Sequence, residues 1–251
     1  MAWYRKAASA GVISAVAYVG SIYQYGLGVR RDYREARRWY RLAAGRGDAK
    51  AMYGLGSLYS SGGRGVGPSE TKAFGWFRRA AKAGLPDAEY ALGSCYEYGT
   101  GTAKNLSVAL SWYQKAATAG QPWAMVRLGY LYANGVGVKQ SHAEALLWYR
   151  KAAAAAGQSW VMARIGRFYM KGDGAKRNYR RALAWYRKAA AAGYTPAMTE
   201  IGVMYFHGWG VPKSTTNARA WFKKAAAAGN QKAKQALEEM KVLASLQGKG
   251  K

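Results

Sequence analysis

Apolar residues recur along this chain at two nested periods. The short period places them three and four residues apart, the spacing of one helix face. In one window Ala124, Leu128, Leu131 and Tyr132 form such a stripe, and in the next Ala145, Trp148, Tyr149, Ala152 and Ala153 form another. Pro122 suits the first turn of the first helix. Gly135 follows that helix, where a left-handed residue ends it. Ser141 stands three residues before Glu144, a capping-box pattern that opens the second helix, and Gly157 closes it. The pattern predicts two short antiparallel helices, A then B, joined by a Gly-x-Gly loop. Gly129 on helix A is expected where another backbone comes close.

The long period repeats this pair. The segment Trp-Tyr-Arg-Lys-Ala-Ala at Trp3 returns in variant form, with its Trp at Trp39, Trp76, Trp112, Trp148, Trp185 and Trp221, 36 or 37 residues apart. The A-helix signature, a hydrophobic residue and then Gly, ends at Gly20, Gly56, Gly93, Gly129, Gly166 and Gly202 with the same spacing. A fixed period of this length marks a solenoid. The two extra residues fall in the loop Ser60 to Gly65 and in the Ala run Ala152 to Ala156. The predicted fold is all-α, with about six helix-turn-helix repeats: 12–47, 48–84, 85–120, 121–157, 158–193 and 194–229. A half repeat at 1–11 precedes them. A capping helix at 230–247 follows, where Glu238 replaces the signature Gly, and 248–251 is expected to be a frayed tail.

The recurring motif, Ala-x-x-x-Leu-Gly-x-Leu-Tyr-x-x-Gly-x-Gly-Val followed by Ala-x-x-Trp-Tyr-x-Lys-Ala-Ala-x-x-Gly, resembles the Sel1-like repeat, a relative of the tetratricopeptide repeats. It covers essentially the whole chain. The resemblance implies a right-handed superhelix whose A helices line a concave groove. It also implies a scaffold or adaptor role, found in bacterial envelope and host-interaction settings among others. One secreted branch carries a disulfide in each repeat. This chain has a single cysteine, Cys95, so activities of that branch do not carry over.

Repeats act as controls for one another. Positions six before, two before, one after and five after the signature Gly share a helix face distinct from the core stripe. In the first three units this face is small and hydroxylated. In the fourth it reads Trp123, Arg127, Tyr130 and Asn134, and in the fifth Trp160, Arg164, Arg167 and Lys171. Aromatic and Arg side chains are the usual anchors of binding hot spots. These eight residues are the expected partner-binding groove. The two Trp are read equally well as packing between neighbouring A helices. The recurring Trp of the B motif is expected in the core.

Charge widens the choice of partner. Thirty-nine Lys and Arg against twelve Asp and Glu leave a net +27, which attracts acidic surfaces and polyanions. Two clusters exceed the repeat pattern. Arg30, Arg31, Arg34, Arg37, Arg38 and Arg41 crowd the first full B helix, and Lys176, Arg177, Arg180 and Arg181 crowd the fifth. The leading reading is a protein-interaction scaffold that holds an acidic segment of a protein or peptide. The alternative is a binder of nucleic acid or an anionic envelope polymer through basic stripes.

Catalytic chemistry finds little footing. Nucleophile–base pairs, paired carboxylates and metal-ligand sets are all missing from the sequence, so no enzyme activity, metal or cofactor is expected. The Gly-x-Gly loops lack the strand and the Gly-Lys-Ser/Thr of a phosphate loop, and their recurrence marks them as turns. Cys95 takes a core position filled elsewhere by Ile22, Leu58, Leu131, Phe168 and Met204. No apolar run is long enough to span a bilayer. The compartment stays open, cytoplasmic by default and periplasmic or secreted if a leader was removed. Oligomeric state is not readable.

Overall fold

The computed structural model describes residues 2–248. Among the described residues it is all-helical, with one isolated backbone bridge, Gly63 to Val66. Fourteen helices follow in order: α1 (Ala2–Ser9), α2 (Ile13–Tyr25), α3 (Tyr33–Gly45), α4 (Ala49–Ser61), α5 (Glu70–Lys82), α6 (Pro86–Tyr98), α7 (Leu106–Thr118), α8 (Pro122–Asn134), α9 (His142–Ala156), α10 (Ser159–Lys171), α11 (Tyr179–Ala191), α12 (Thr195–His207), α13 (Thr215–Ala227) and α14 (Gln231–Gly248). Even-numbered helices are A helices and odd-numbered ones are B helices. Residues 249–251 of the expected tail lie outside the described residues. The chain forms two compact units, residues 1–125 and 126–251.

The six B helices from α3 to α13 start in the same way. Asp32, Ser69, Asn105, Ser141, Asn178 and Ser214 each accept a backbone N–H of the first turn on the side chain. This satisfies a donor that the helix itself cannot. The backbone N–H of the same six residues donates to a Tyr carbonyl near the end of the preceding A helix, for example Asn105 to Tyr96 at 2.7 Å and Ser141 to Tyr132 at 2.9 Å. The capping box expected at Ser141 is therefore half made. Glu144 N–H donates to the Ser141 hydroxyl at 3.3 Å, but the Ser141 N–H is already committed to Tyr132. Loop geometry follows expectation, with Gly135 left-handed at φ 67°.

The A and B helices of a pair meet at the signature glycine, and what approaches it is a ring rather than a backbone alone. A Cβ on Gly56 would lie 2.5 Å from the Phe77 ring, and one on Gly166 would lie 2.9 Å from the Tyr186 ring. Tyr40, Tyr113, Tyr149 and Phe222 fill the same groove on Gly20, Gly93, Gly129 and Gly202. All six rings are buried. Two of the hydroxyls reach back to helix A. Tyr40 donates to Gln24 at 2.7 Å and Tyr113 to Glu97 at 2.8 Å.

This corrects the expected place of the repeating Trp. Trp39, Trp76, Trp112, Trp148, Trp185 and Trp221 are only half-buried, and Trp3 is 83% exposed. The core aromatic is the residue after each of the six half-buried Trp. In five repeats a cation three residues on lies over the Trp face, from Lys151 on Trp148 at 4.3 Å to Lys224 on Trp221 at 5.3 Å. The recurrent basic residues of helix B thus cover Trp rings as well as meeting solvent.

Candidate functional site

The sequence stripe falls on α8 and α10. Trp123, at the end of the first unit, is half exposed. In the second unit Arg127 lies over the Tyr130 ring at 4.7 Å, and Arg164 lies over the Tyr149 ring at 5.2 Å. Both guanidiniums thus rest on aromatic faces, which offsets the mutual repulsion expected of bare charges. Burial raises the Tyr149 pKa, opposed by the positive charges of Arg164 and Arg127. Asn134 turns back on its own helix and donates to the Tyr130 carbonyl at 2.8 Å. Lys171 is exposed at the end of α10.

Trp160, Arg164 and Arg167 come together in a cleft of about 210 Å³. Its other walls are Ala163, Tyr186, Tyr194, Pro196, Ala197 and Glu200. Glu200, Tyr186 and Tyr194 are the members that sequence reasoning missed. Glu200 sits on the same stripe of α12 and could have been read from it. Tyr186 is the buried ring that closes on Gly166, and Tyr194 lies in a linker. Desolvation raises the Glu200 pKa, while Lys232 and Arg167 lower it. The side chain keeps solvent contact at the cleft mouth, and water there screens these effects. Tyr186 is raised by burial first and by Glu200 second, against Arg167.

Four of the ten residues of the two basic clusters lie off the helices. Arg30 and Arg31 precede α3, and Lys176 and Arg177 precede α11; Arg34, Arg37, Arg38, Arg41, Arg180 and Arg181 are on the helices themselves. Arg41 donates to the Tyr59 hydroxyl at 3.2 Å, Arg38 pairs with Glu35 at 3.8 Å, and Arg181 lies over the Tyr169 ring at 5.7 Å.

Three of the Gly-x-Gly loops are filled by protein at their second glycine, while Gly28 in the first faces open space. A Cβ on Gly210 would meet the backbone of Tyr179 and Arg180 within 3 Å, and Gly101 and Gly174 meet the start of α5 and α9 in the same way. These three loops seat on the preceding B helix and leave no cradle for phosphate. Cys95 is buried, and burial pushes its thiol up to about 11. Among the described residues no group of His, Cys, Asp and Glu could hold a metal ion, and no helix is long and apolar enough to cross a membrane.

Paired antiparallel helices of one period, locked by a glycine and a ring and with a variable A-helix face, define an α-helical repeat protein of the tetratricopeptide type. The chain belongs to the Sel1 repeat family, whose model matches residues 1–12, 13–48, 49–85, 86–121, 124–156, 161–194 and 195–230. It is similar in structure to a protective antigen of uropathogenic Escherichia coli strains that displays this fold. The TM-score is 0.87 at 32% identity over 96% of this chain and 51% of that one. It also matches a Sel1 repeat protein from Oxalobacter formigenes, with TM-score 0.80 and 33% identity over 95% of this chain and 69% of that one. The chain thus spans about half the length of the Escherichia coli antigen. No curated protein gives a significant sequence match. Proteins of this repeat family generally mediate protein–protein interaction and are generally non-enzymatic.

Proposed function

We propose that this chain is a docking scaffold that holds an acidic segment of a partner protein on the A-helix faces of its second unit. The observation that carries the reading is the cleft in which Trp160 stands beside Arg164 and Arg167. The Trp supplies apolar anchor area, and the two guanidiniums supply forked donors for carboxylates. Arg127 and Tyr130 extend the surface along α8, with Asn134 and Lys171 as further contacts. At about 210 Å³ the cleft is smaller than a typical enclosed small-molecule site and suits one or two side chains of a peptide. Glu200 at its mouth sets register, since it repels a carboxylate placed on its side. The net +27 speeds encounter with an acidic partner more than it sets affinity.

The test uses the full chain and two fluorescein-labelled probes across a salt series, a peptide of alternating Glu and Leu and a single-stranded oligonucleotide. The peptide is expected to bind through physiological salt. Arg164→Ala with Arg167→Ala is expected to weaken it at least about tenfold, the scale of one lost charged hydrogen bond. If instead the oligonucleotide persists at physiological salt and the double variant abolishes it, the groove is a polyanion site. If the double variant changes neither probe, the groove reading is overturned.

A further inference from the structure

A second feature lies in the first unit, apart from the groove, and breaks the repeat. Five residues at the start of the first full B helix read Arg30-Arg31-Asp32-Tyr33-Arg34. Four other repeats fold with different residues at these positions, such as Gly67-Pro68-Ser69-Glu70-Thr71 and Lys139-Gln140-Ser141-His142-Ala143. The scaffold therefore does not require this set. Only the fifth repeat has a counterpart, Lys176-Arg177-Asn178-Tyr179-Arg180.

The loop that carries the first extra residue of the chain folds onto this set. Gly63 and Val66 exchange both backbone hydrogen bonds at 2.9 Å, which leaves Arg64 and Gly65 at the tip of a tight turn. Gly65 is left-handed at φ 81°. Val66 is buried beneath the turn, Gly63 lies on the Tyr33 ring, and Gly65 rests against the Arg34 side chain. The turn is thus held on three sides and presents Arg64 to the other arginines. In the fifth repeat the neighbouring loop instead brings Trp209, whose ring stacks on Tyr179 at 5.7 Å. A fourth cation is found at the first motif and not at the second.

Arg30, Arg31, Arg34 and Arg64 together line a cleft of about 740 Å³, with Tyr23, Val29, Asp32 and Tyr33 as its other walls. Its volume is that of a typical small-ligand site. Arg31 is held by donation to the Tyr33 hydroxyl at 3.3 Å. Among the described residues Arg30, Arg34 and Arg64 have no ion pair with a carboxylate. Asp32 is the one acid in the wall, and it already accepts the backbone N–H groups of Arg34 and Glu35 at 2.9 and 3.1 Å. Four like charges around one space repel, and a ligand with several close negative charges relieves that repulsion. Guanidinium forks match phosphate oxygens two at a time. The four converge on one cleft rather than run along a stripe, which selects a compact anion over an extended polymer.

We propose that this cleft is a binding site for an oligophosphate, a ligand with three or so linked phosphate groups. Two sources supply that chemistry, an inorganic triphosphate and a nucleoside triphosphate. The test is calorimetric titration of the full chain at physiological salt with inorganic triphosphate, with ATP and with adenosine. The variants are Arg34→Gln, Arg64→Gln and the charge-matched control Arg150→Gln, an exposed helix-α9 residue. Circular dichroism checks that each folds. Inorganic triphosphate is expected to bind at one site, and Arg64→Gln and Arg34→Gln are each expected to weaken it about tenfold while Arg150→Gln does not. Equal affinity for ATP, with none for adenosine, identifies the phosphates as the whole determinant. Tighter binding of ATP, lost in Arg64→Gln, identifies a nucleotide whose base contacts the Tyr wall. Absence of binding, or an equal effect of all three variants, overturns the proposal. So does a single-stranded oligonucleotide that displaces triphosphate yet binds Arg64→Gln undiminished.

Discussion

Gly56 and Gly75 are both helical, and alanine at each has the opposite effect. At Gly56 the new methyl would stand 2.5 Å from the Phe77 ring, so the ring or the helix pair must shift. Overpacking of this kind costs about 1–3 kcal/mol. At Gly75 the methyl meets open space, and relief of backbone entropy stabilises the helix by roughly 0.5–1 kcal/mol. Urea midpoints of Gly56→Ala and Gly75→Ala should therefore move down and up respectively. The sequence located the signature glycines, because they recur at one phase of the stripe. It did not show what they face, because the ring comes from a different helix. Adjacent Trp and Tyr are also alike to any hydrophobic count. Their burial differs because they sit about 100° apart around α9 and its counterparts, a difference that a repeated dipeptide hides.

At the scale of the element, the B helices were legible from their ends. A Ser, Asn or Asp, a run of small apolar residues and a closing Gly fix both limits, and the Ala run of α9 accounts for its 15 residues against 13 in its neighbours. The network at the start of each B helix was not legible, since it depends on a carbonyl presented by helix A. Ser141→Ala should cost about 1 kcal/mol, because it removes the side-chain acceptor of the first turn. Glu144→Ala should cost no more than a few tenths, because the Ser141 N–H that a capping box would offer it is bonded to Tyr132 instead. Thermal unfolding of the two variants separates the cases. Arg64 belongs to this scale too. Its loop was visible as an irregularity in spacing, but only the folded turn shows which arginines it joins.

Across the whole molecule, titratable groups buried in their neutral form set the response to alkali. Burial holds the Cys95 thiol near 11, above its ordinary 9.0, and holds the Tyr40 hydroxyl near 12, above 10.0. Burial also raises Tyr53, Tyr149 and Tyr186. The unfolded chain gives up these protons first. Their contribution to stability is therefore complete below the unfolded values and is lost as pH rises toward the folded ones. Urea midpoints should fall from pH 9 to 11 as Cys95 titrates in the unfolded chain, and further toward 12 as the tyrosines follow. Cys95→Ala should flatten the first part of that fall. The net charge was plain in the composition and the cluster of Arg30, Arg31 and Arg34 in the sequence, but the arrival of Arg64 beside them was not. Convergence of Arg30, Arg31, Arg34 and Arg64 is a tertiary fact, as is the arrival of Glu200 beside Arg167.

The glycine and ring that close each helix pair also bear on how such a chain can change over generations. Both halves of the closure lie within one 36- or 37-residue segment. A duplication or deletion that begins and ends at the same phase carries groove and ring together, and the new copy is packed from the start. One that breaks between helices A and B separates them, leaving a bare notch on one side and a stranded aromatic on the other. Selection on packing therefore keeps recombination in step with the repeat. The variable positions of the A-helix face, which the closure does not fix in kind, are freer to diverge from copy to copy.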